Sequence, residues 1–203
     1  GGSPIMADDE AEVEEIIAIC DALVLNIGTL NQRTINAMKK AAKKANNLGK
    51  KVVLDPVGAG ASKLRTDTAL QLLEEIQFDA IRGNISEIKT LAVGTNTTHG
   101  VDASAADAIC NDNLAATAEL ARGLAQKTGA VVAITGAIDV IADAQKHCFI
   151  HNGHPMISKI TGTGCMCSAI LGAFLAASEE AFTATTAAVA VMGLAGETAW
   201  QSA

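Results

Sequence analysis

Short apolar runs alternate along this chain with longer segments of helical character, and no other feature restricts its fold as tightly. Residues 22–27, 51–54 and 130–135 read as buried strands. Around them lie predicted helices at 10–20, 32–48, 66–76, 85–93, 103–110 and 114–127, with a polar link at 94–100. Asp8 or Asp9 can cap the first helix, whose Glu10, Glu12, Glu14 and Glu15 lie near the positive end of its dipole and form a solvated face. Lys39, Lys40, Lys43 and Lys44 occupy the polar side of the second, an ordinary surface group, and Gly49 stops it. Repeated strand and helix units imply an α/β fold, a mostly parallel central sheet with helices on both faces.

The pattern changes after Thr135. Residues 140–142, 147–150 and 155–160 read as short extended pieces, and Asn152-Gly153 is a hairpin turn signal. His147, His151 and His154 cluster there without a recurring ligand spacing, so the hairpin is expected to position the glycine segment beyond it rather than to bind metal. That segment, Thr161-Gly162-Thr163-Gly164-Cys165, leads into an apolar run at 168–177. Two glycines before a helix allow close backbone approach, and the unpaired N–H groups and dipole of the helix start favour an anion. The alternative is a tight turn before a buried helix.

Two further segments bear on that choice. The strand at 51–54 breaks at Asp55-Pro56-Val57-Gly58-Ala59-Gly60, placing an acid at a strand's C-terminal end, where open α/β sheets bind ligands. Ile81-Arg82-Gly83-Asn84-Ile85-Ser86-Glu87 follows another short strand and opens a helix, with a cation suited to phosphate and a carboxylate suited to Mg²⁺ through water. No G-x-G-x-x-G follows the first strand, which disfavours a dinucleotide reader.

With 203 residues, 49% of them hydrophobic and 18% charged, the chain suits one domain with a sizeable core. Its net charge of −7 argues against nucleic acid and anionic membrane surfaces, so a bound polyphosphate must be met locally. Five cysteines (Cys20, Cys110, Cys148, Cys165, Cys167) form no disulfide framework and no signal peptide opens the chain, which points to a reducing cytoplasm. The apolar stretch at 181–196 contains threonines and falls short of the roughly 20 residues of a membrane span.

The chain resembles the hydroxyethylthiazole kinases, a thiamine-biosynthesis branch of the ribokinase-like superfamily. The resemblance is carried by Ser3-Pro4-Ile5-Met6-Ala7, Asn26-Ile27-Gly28-Thr29-Leu30, Leu54-Asp55-Pro56-Val57-Gly58-Ala59-Gly60, Arg82-Gly83-Asn84-Ile85-Ser86-Glu87-Ile88, Ile134-Thr135-Gly136 and the glycine segment ending in Cys165. Most of the superfamily resembles that last segment but has aspartate at the place of Cys165; the pyrimidine kinase of thiamine synthesis shares the cysteine. The Ser-Pro-Ile-Met and Arg-Gly-Asn segments look like the thiazole enzyme.

The resemblance implies a ribokinase-like domain over residues 1–203, truncated at both ends, with a small hairpin beside the nucleotide. It implies Mg²⁺ and ATP as co-substrate, phosphorylating the alcohol of 4-methyl-5-(2-hydroxyethyl)thiazole. Arg82, Thr135 and Asn84 would contact ATP, with Asp55 and Glu87 on the Mg²⁺ side; Met6 and Gly162 would contact the thiazole alcohol, with Gly28 and Thr29 as weaker candidates. Backbone N–H groups at Gly162, Thr163 and Gly164 would form an anion hole. Cys165, at the helix start where the dipole favours a thiolate, would take the alcohol proton. From the residue alone, without the neighbouring motifs, Cys165 reads first as a small buried residue at a crowded helix start, Met6 suits a core position as well as a thiazole contact, and Cys167 reads as core. Homotrimers with pockets at subunit boundaries are implied by the family alone. Two alternatives remain: a kinase of another heterocyclic alcohol of hydroxymethylpyrimidine or vitamin B6 type, and a non-catalytic nucleotide-binding module.

Overall fold

Six strands form one sheet in the order of the chain: β1 (Ala22–Asn26), β2 (Lys51–Asp55), β3 (Ala80–Gly83), β4 (Val131–Ile134), β5 (Asp139–Ala142) and β6 (His147–Ile150). The computed structural model describes residues 2–94, 109 and 113–202; apart from Gly94 and Ile109, the predicted link at 94–100 and helix at 103–110 lie outside the described residues. The first four strands are parallel and the last two antiparallel. β2 sits between two covered faces, which is why Val52, Val53, Leu54 and even Asp55 are wholly buried and why the run shows no alternation.

The helices are α1 (Val13–Ile19), α2 (Gln32–Asn47), α3 (Lys63–Glu75), α4 (Ile85–Val93), α5 (Leu114–Thr128), α6 (Thr163–Ala176) and α7 (Ala181–Gln201). Parallel strands added in one direction with crossovers of one hand drop their connecting helices on one side of the sheet. Residues of α1 to α5 accordingly share one core cluster, with Ala41, Leu72, Ile88 and Leu124 packed against Ile27, Leu54, Ile81 and Ile134. The opposite side is left for α6 and α7, whose Leu171, Leu175, Ala184 and Ala188 pack on Val53, Ala133 and Ile141. Local caps begin the crossover helices: Asn31 and Thr34 form a capping box on α2, Ser62 accepts from Arg65 N on α3, and Gly129 ends α5 at φ 76°.

Several boundaries differ from the sequence expectations. The first helix starts at Val13, because residues 10–12 turn about Asp9, whose carboxylate accepts from Ala11 N and whose carbonyl accepts from Glu12 N and Val13 N. The third starts at Lys63, a turn before 66, under its Ser62 cap. Asn152-Gly153 is not the hairpin turn. The β5–β6 reversal lies at residues 143–146, held by the Asp143 carboxylate accepting from Gln145 N and Lys146 N. Residues 155–160 are not extended: Pro155–Lys159 is a 3₁₀ helix, with proline in its first turn and His154 Nδ1 accepting from Met156 N.

α6 approaches β1 closely because residue 172 has no side chain; a Cβ there would fall 2.7 Å from Val24 Cγ2. Gly172→Ala is expected to destabilise the protein by roughly 1–3 kcal/mol through overpacking. Adding Val24→Ala, which removes the obstructing methyls, should recover much of the loss. Denaturant unfolding of both variants checks this, and equal instability with and without Val24→Ala would contradict the close-approach account.

Candidate functional site

Parallel register brings the chemistry to one edge. Asn26 pairs with Asp55 at the ends of β1 and β2, and Gly83 pairs with Ile134 at the ends of β3 and β4, so Arg82 and Thr135 emerge beside them. The N-terminus of α6 lies at this edge, with Cys165 against Asn26 and Gly164 against Arg82.

Asp55 is 0% exposed. Its Oδ2 accepts from Asn26 Nδ2 at 2.9 Å, while Oδ1 has no hydrogen-bond partner and lies 4.0 Å from Arg82 Nη1. Burial pushes its carboxyl above the usual range, opposed first by the Arg82 charge and then by the neighbouring polar side chains, of which Asn26 makes the hydrogen bond to Oδ2. Arg82 Nη2 donates to Thr135 Oγ1 at 2.5 Å. The guanidinium also lies against the first turn of α6, where a Cβ on Gly164 would come within 2.6 Å of Nη1.

Glu87 has a structural occupation. Its Oε1 accepts from Gly58 N at 2.9 Å and its Oε2 from Asn84 N at 2.8 Å, while Asn84 Oδ1 accepts from Glu87 N, a capping box that ties the Asp-Pro-Val-Gly turn to α4. Burial raises its carboxyl as well, against those two backbone donors.

Gly162 caps α6 in the left-handed region at φ 91°; nothing lies within 4 Å of where its Cβ would be, so the backbone conformation and not space requires glycine. No side chain caps this helix start, no acid occupies its first turn, and its first bond runs from Met166 N to Gly162 O. The Thr163 hydroxyl donates to Ile157 O and Ile160 O, fastening the 3₁₀ segment to α6. Cys165 is exposed and its Sγ accepts from Asn26 Nδ2 at 3.1 Å, which rules out the small-core reading for it; Cys167 is buried and its thiol is pushed up to about 11 by burial.

A cavity of ≈ 580 Å³ opens beside these groups, lined by Arg82, Asn84, Thr135, Asp139, Gly164 and Cys167 among others. Its far wall is the segment after β6. Asn152 Nδ2 donates to Ala190 O, Gly153 N donates to Glu197 Oε1, and the His154 ring stacks on Trp200 at 4.4 Å. Met6 is outside this assembly: 93% exposed, it is neither core nor part of the cavity lining. Gly28 joins the strand-end network through its N–H to Asn26 Oδ1 and its carbonyl to Arg65 Nη2.

Sequence reasoning does not single out Asn26 or Asp139 as functional positions. Asn26 stands in the Asn-Ile-Gly-Thr-Leu motif with no role of its own, although its place opposite Asp55 follows once the two strands are paired in parallel. Asp139 opens β5 and faces the cavity, with its carboxylate accepting from Gly136 N at 2.9 Å. Nothing in the local pattern marks it, because the reversal that brings it there is antiparallel.

Burial pushes the Asp139 carboxyl from 3.8 up to about 6, opposed by the Gly136 N–H and by Arg82. The folded state thus holds this proton more tightly than the unfolded chain, and stability falls as pH rises through the interval from about 4 to about 6. Asp139→Asn, which keeps an acceptor for Gly136 N, should remove this slope. Melting temperatures of wild type and variant should therefore diverge in the variant's favour from about pH 4 to about pH 7; parallel curves would assign Asp139 an ordinary carboxyl.

The family model described as the hydroxyethylthiazole kinase family matches residues 1–203. A hydroxyethylthiazole kinase of Clostridium acetobutylicum is 56% identical over 98% of this chain and 74% of its own length. The solved hydroxyethylthiazole kinase of Pyrococcus horikoshii OT3 superposes with a TM-score of 0.88 at 39% identity, over 100% of this chain and 73% of that one. A ribokinase-like superfamily protein of Enterococcus faecalis V583 shares the fold, with a TM-score of 0.66 at 13% identity over 94% of this chain and 60% of that one. By sequence over its full length and by fold, the chain belongs to the hydroxyethylthiazole kinase family.

Proposed function

We propose that this chain transfers the γ-phosphoryl group of ATP to the primary alcohol of 4-methyl-5-(2-hydroxyethyl)thiazole, yielding ADP and the thiazole monophosphate. The observation that carries the reading is the convergence of the uncapped start of α6, the Arg82 guanidinium, the buried Asp55 and the exposed Cys165 thiol at one end of the sheet, beside a cavity of nucleotide size. Phosphoryl transfer needs little covalent help from the protein. It needs both oxygens held in line and the charge on the transferring group stabilised.

Each group has a part in this. Arg82, oriented by Thr135, binds the phosphates from the β3 side, and the N–H groups of Gly162 to Cys165 receive the oxygens of the transferring group from the α6 side. The alcohol oxygen bonds to the γ-phosphorus as the bond to the β-phosphate oxygen breaks, and the alcohol proton passes to the Cys165 sulfur, which enters the step as a thiolate and leaves it as a thiol. The fully buried Asp55 with an unpartnered oxygen fits an anchor for Mg²⁺, with Glu87 as a second charge acting through water, and the ion would neutralise charge on the phosphates. Because both Glu87 oxygens already accept backbone N–H groups, its share is the smaller.

In a homotrimer with pockets at subunit boundaries, the exposed Met6 would be free to meet the thiazole under a neighbouring copy of the chain. No described helix is long and apolar enough to cross a membrane, and the described cysteines are free thiols, as a reducing cytoplasm would keep them.

Incubation of full-length protein with ATP, Mg²⁺ and a panel of heterocyclic alcohols should give phosphorylated thiazole and ADP. Turnover of a pyrimidine or B6 alcohol with the thiazole untouched would overturn the assignment, and ATP binding without any product would favour a non-catalytic module. Cys165→Ala should lower kcat by roughly 10²–10⁴ with little change in ATP affinity. Cys165→Ser should follow alanine, and Cys165→Asp should retain substantial activity; a well-folded, fully active alanine variant would remove the thiol from the mechanism.

Charge handling is tested separately. Arg82→Ala should weaken ATP binding by on the order of 1.5–3 kcal/mol. Gly164→Ala should act in the same direction by displacing the guanidinium from its place against the first turn of α6. A Gly164→Ala variant with unchanged ATP affinity in calorimetry would show that Arg82 does not need this position.

A further inference from the structure

Asn26 is half-buried at the end of β1, and its amide is fully committed. Oδ1 accepts from Gly28 N at 2.9 Å. A backbone N–H can only donate, so the atom facing Gly28 must be the oxygen, and the NH₂ group necessarily faces the other way. Its two hydrogens are then matched by two acceptors, Asp55 Oδ2 at 2.9 Å and Cys165 Sγ at 3.1 Å. Gly28 is itself held from the far side by Arg65 Nη2 on its carbonyl at 2.7 Å, so the turn that orients the amide is anchored to α3.

The geometry points to Asn26 as the positioning residue for Cys165, fixing the sulfur over the start of α6 by a donated hydrogen bond and coupling it to the buried carboxylate of Asp55. The inference rests on the proposed proton-accepting role of the thiol. The cysteine lies 139 positions from Asn26 in sequence and is solvent-exposed, so the sulfur has open directions to turn towards. The amide selects the one that faces the strand ends. A donor also suits a sulfur that becomes more negative when it has lost its proton, whereas a carbonyl or carboxylate in the same place would repel it. An ionised Asp55 cannot replace the amide once the sulfur has lost its proton, because a carboxylate only accepts.

A double-mutant cycle separates this role from support of Asp55 or of the fold. Asn26→Ala in otherwise wild-type full-length protein should lower kcat about 10- to 100-fold, with KM for ATP changed less than about threefold, the size expected when a proton acceptor is misplaced. In a Cys165→Ala background the same substitution should cost less than about threefold, because the sulfur it positions is gone. Asn26→Ser, whose hydroxyl can still donate to one partner, should recover part of the rate, and melting temperatures establish that each variant is folded. Equal losses from Asn26→Ala in both backgrounds, or a loss confined to KM for ATP, would overturn the positioning role and assign Asn26 to Asp55. A fully active Cys165→Ala protein would instead overturn the role of the thiol, and that result is read from the single variant without reference to Asn26.

Discussion

The contact on which the rest depends is the seating of α6 across β1 and β2. It is made at Gly172, where backbone rather than side chain meets Val24, and continued by Leu171 and Leu175 in the core of that face. A helix lying on a sheet through small residues has little freedom to slide or roll, since interiors are packed near crystal density. Its first turn is thereby held over the ends of two strands, and a loop carrying the same Gly-Thr-Gly-Cys residues would have no such orientation.

Electrostatically, the molecule solves a local problem against its global charge. A chain of net charge −7 that receives a polyphosphate must concentrate positive potential at one place. In the proposed function, Arg82, mostly buried and hydrogen-bonded to Thr135, would be the charged part of that concentration, and the oriented N–H groups of α6 the uncharged part. Asp55, in contact with the same guanidinium, keeps the site from holding an uncompensated buried cation, which would be costly on its own.

Much of this is legible in the sequence. Buried parallel strands betray themselves as unbroken apolar runs, so 51–54 and 130–135 are recognisable, and an acid or glycine turn at the end of such a run marks the ligand-binding edge. Helix boundaries are legible for the same local reason at Gly49 and at Arg82-Gly83-Asn84. The segment after β6 is not. Asn152-Gly153 has the residue types of a hairpin turn, but its conformation is set by Ala190 and Glu197, 38 and 44 residues away, and no window of local sequence contains them. The reversal at 143–146 escapes a search for turn residues because an aspartate carboxylate, without any glycine, closes it. Met6 shows a different limit: its pattern is visible, but its side chain is exposed and takes no part in this chain's own core.

The bonds from Asn152 and Gly153 to α7 have a thermodynamic consequence for the cavity. The wall segment is fastened to α7 between Ala190 and Trp200 by two hydrogen bonds, the His154–Trp200 stack, and close approaches of Asn152 to Gly193 and of Ile157 to Gly196. A segment held mainly by one helix depends on that helix for its place, so its local stability follows that of α7. A substitution in the C-terminal half of α7, outside the strand-end chemistry, is therefore expected to loosen the cavity wall as well as the helix.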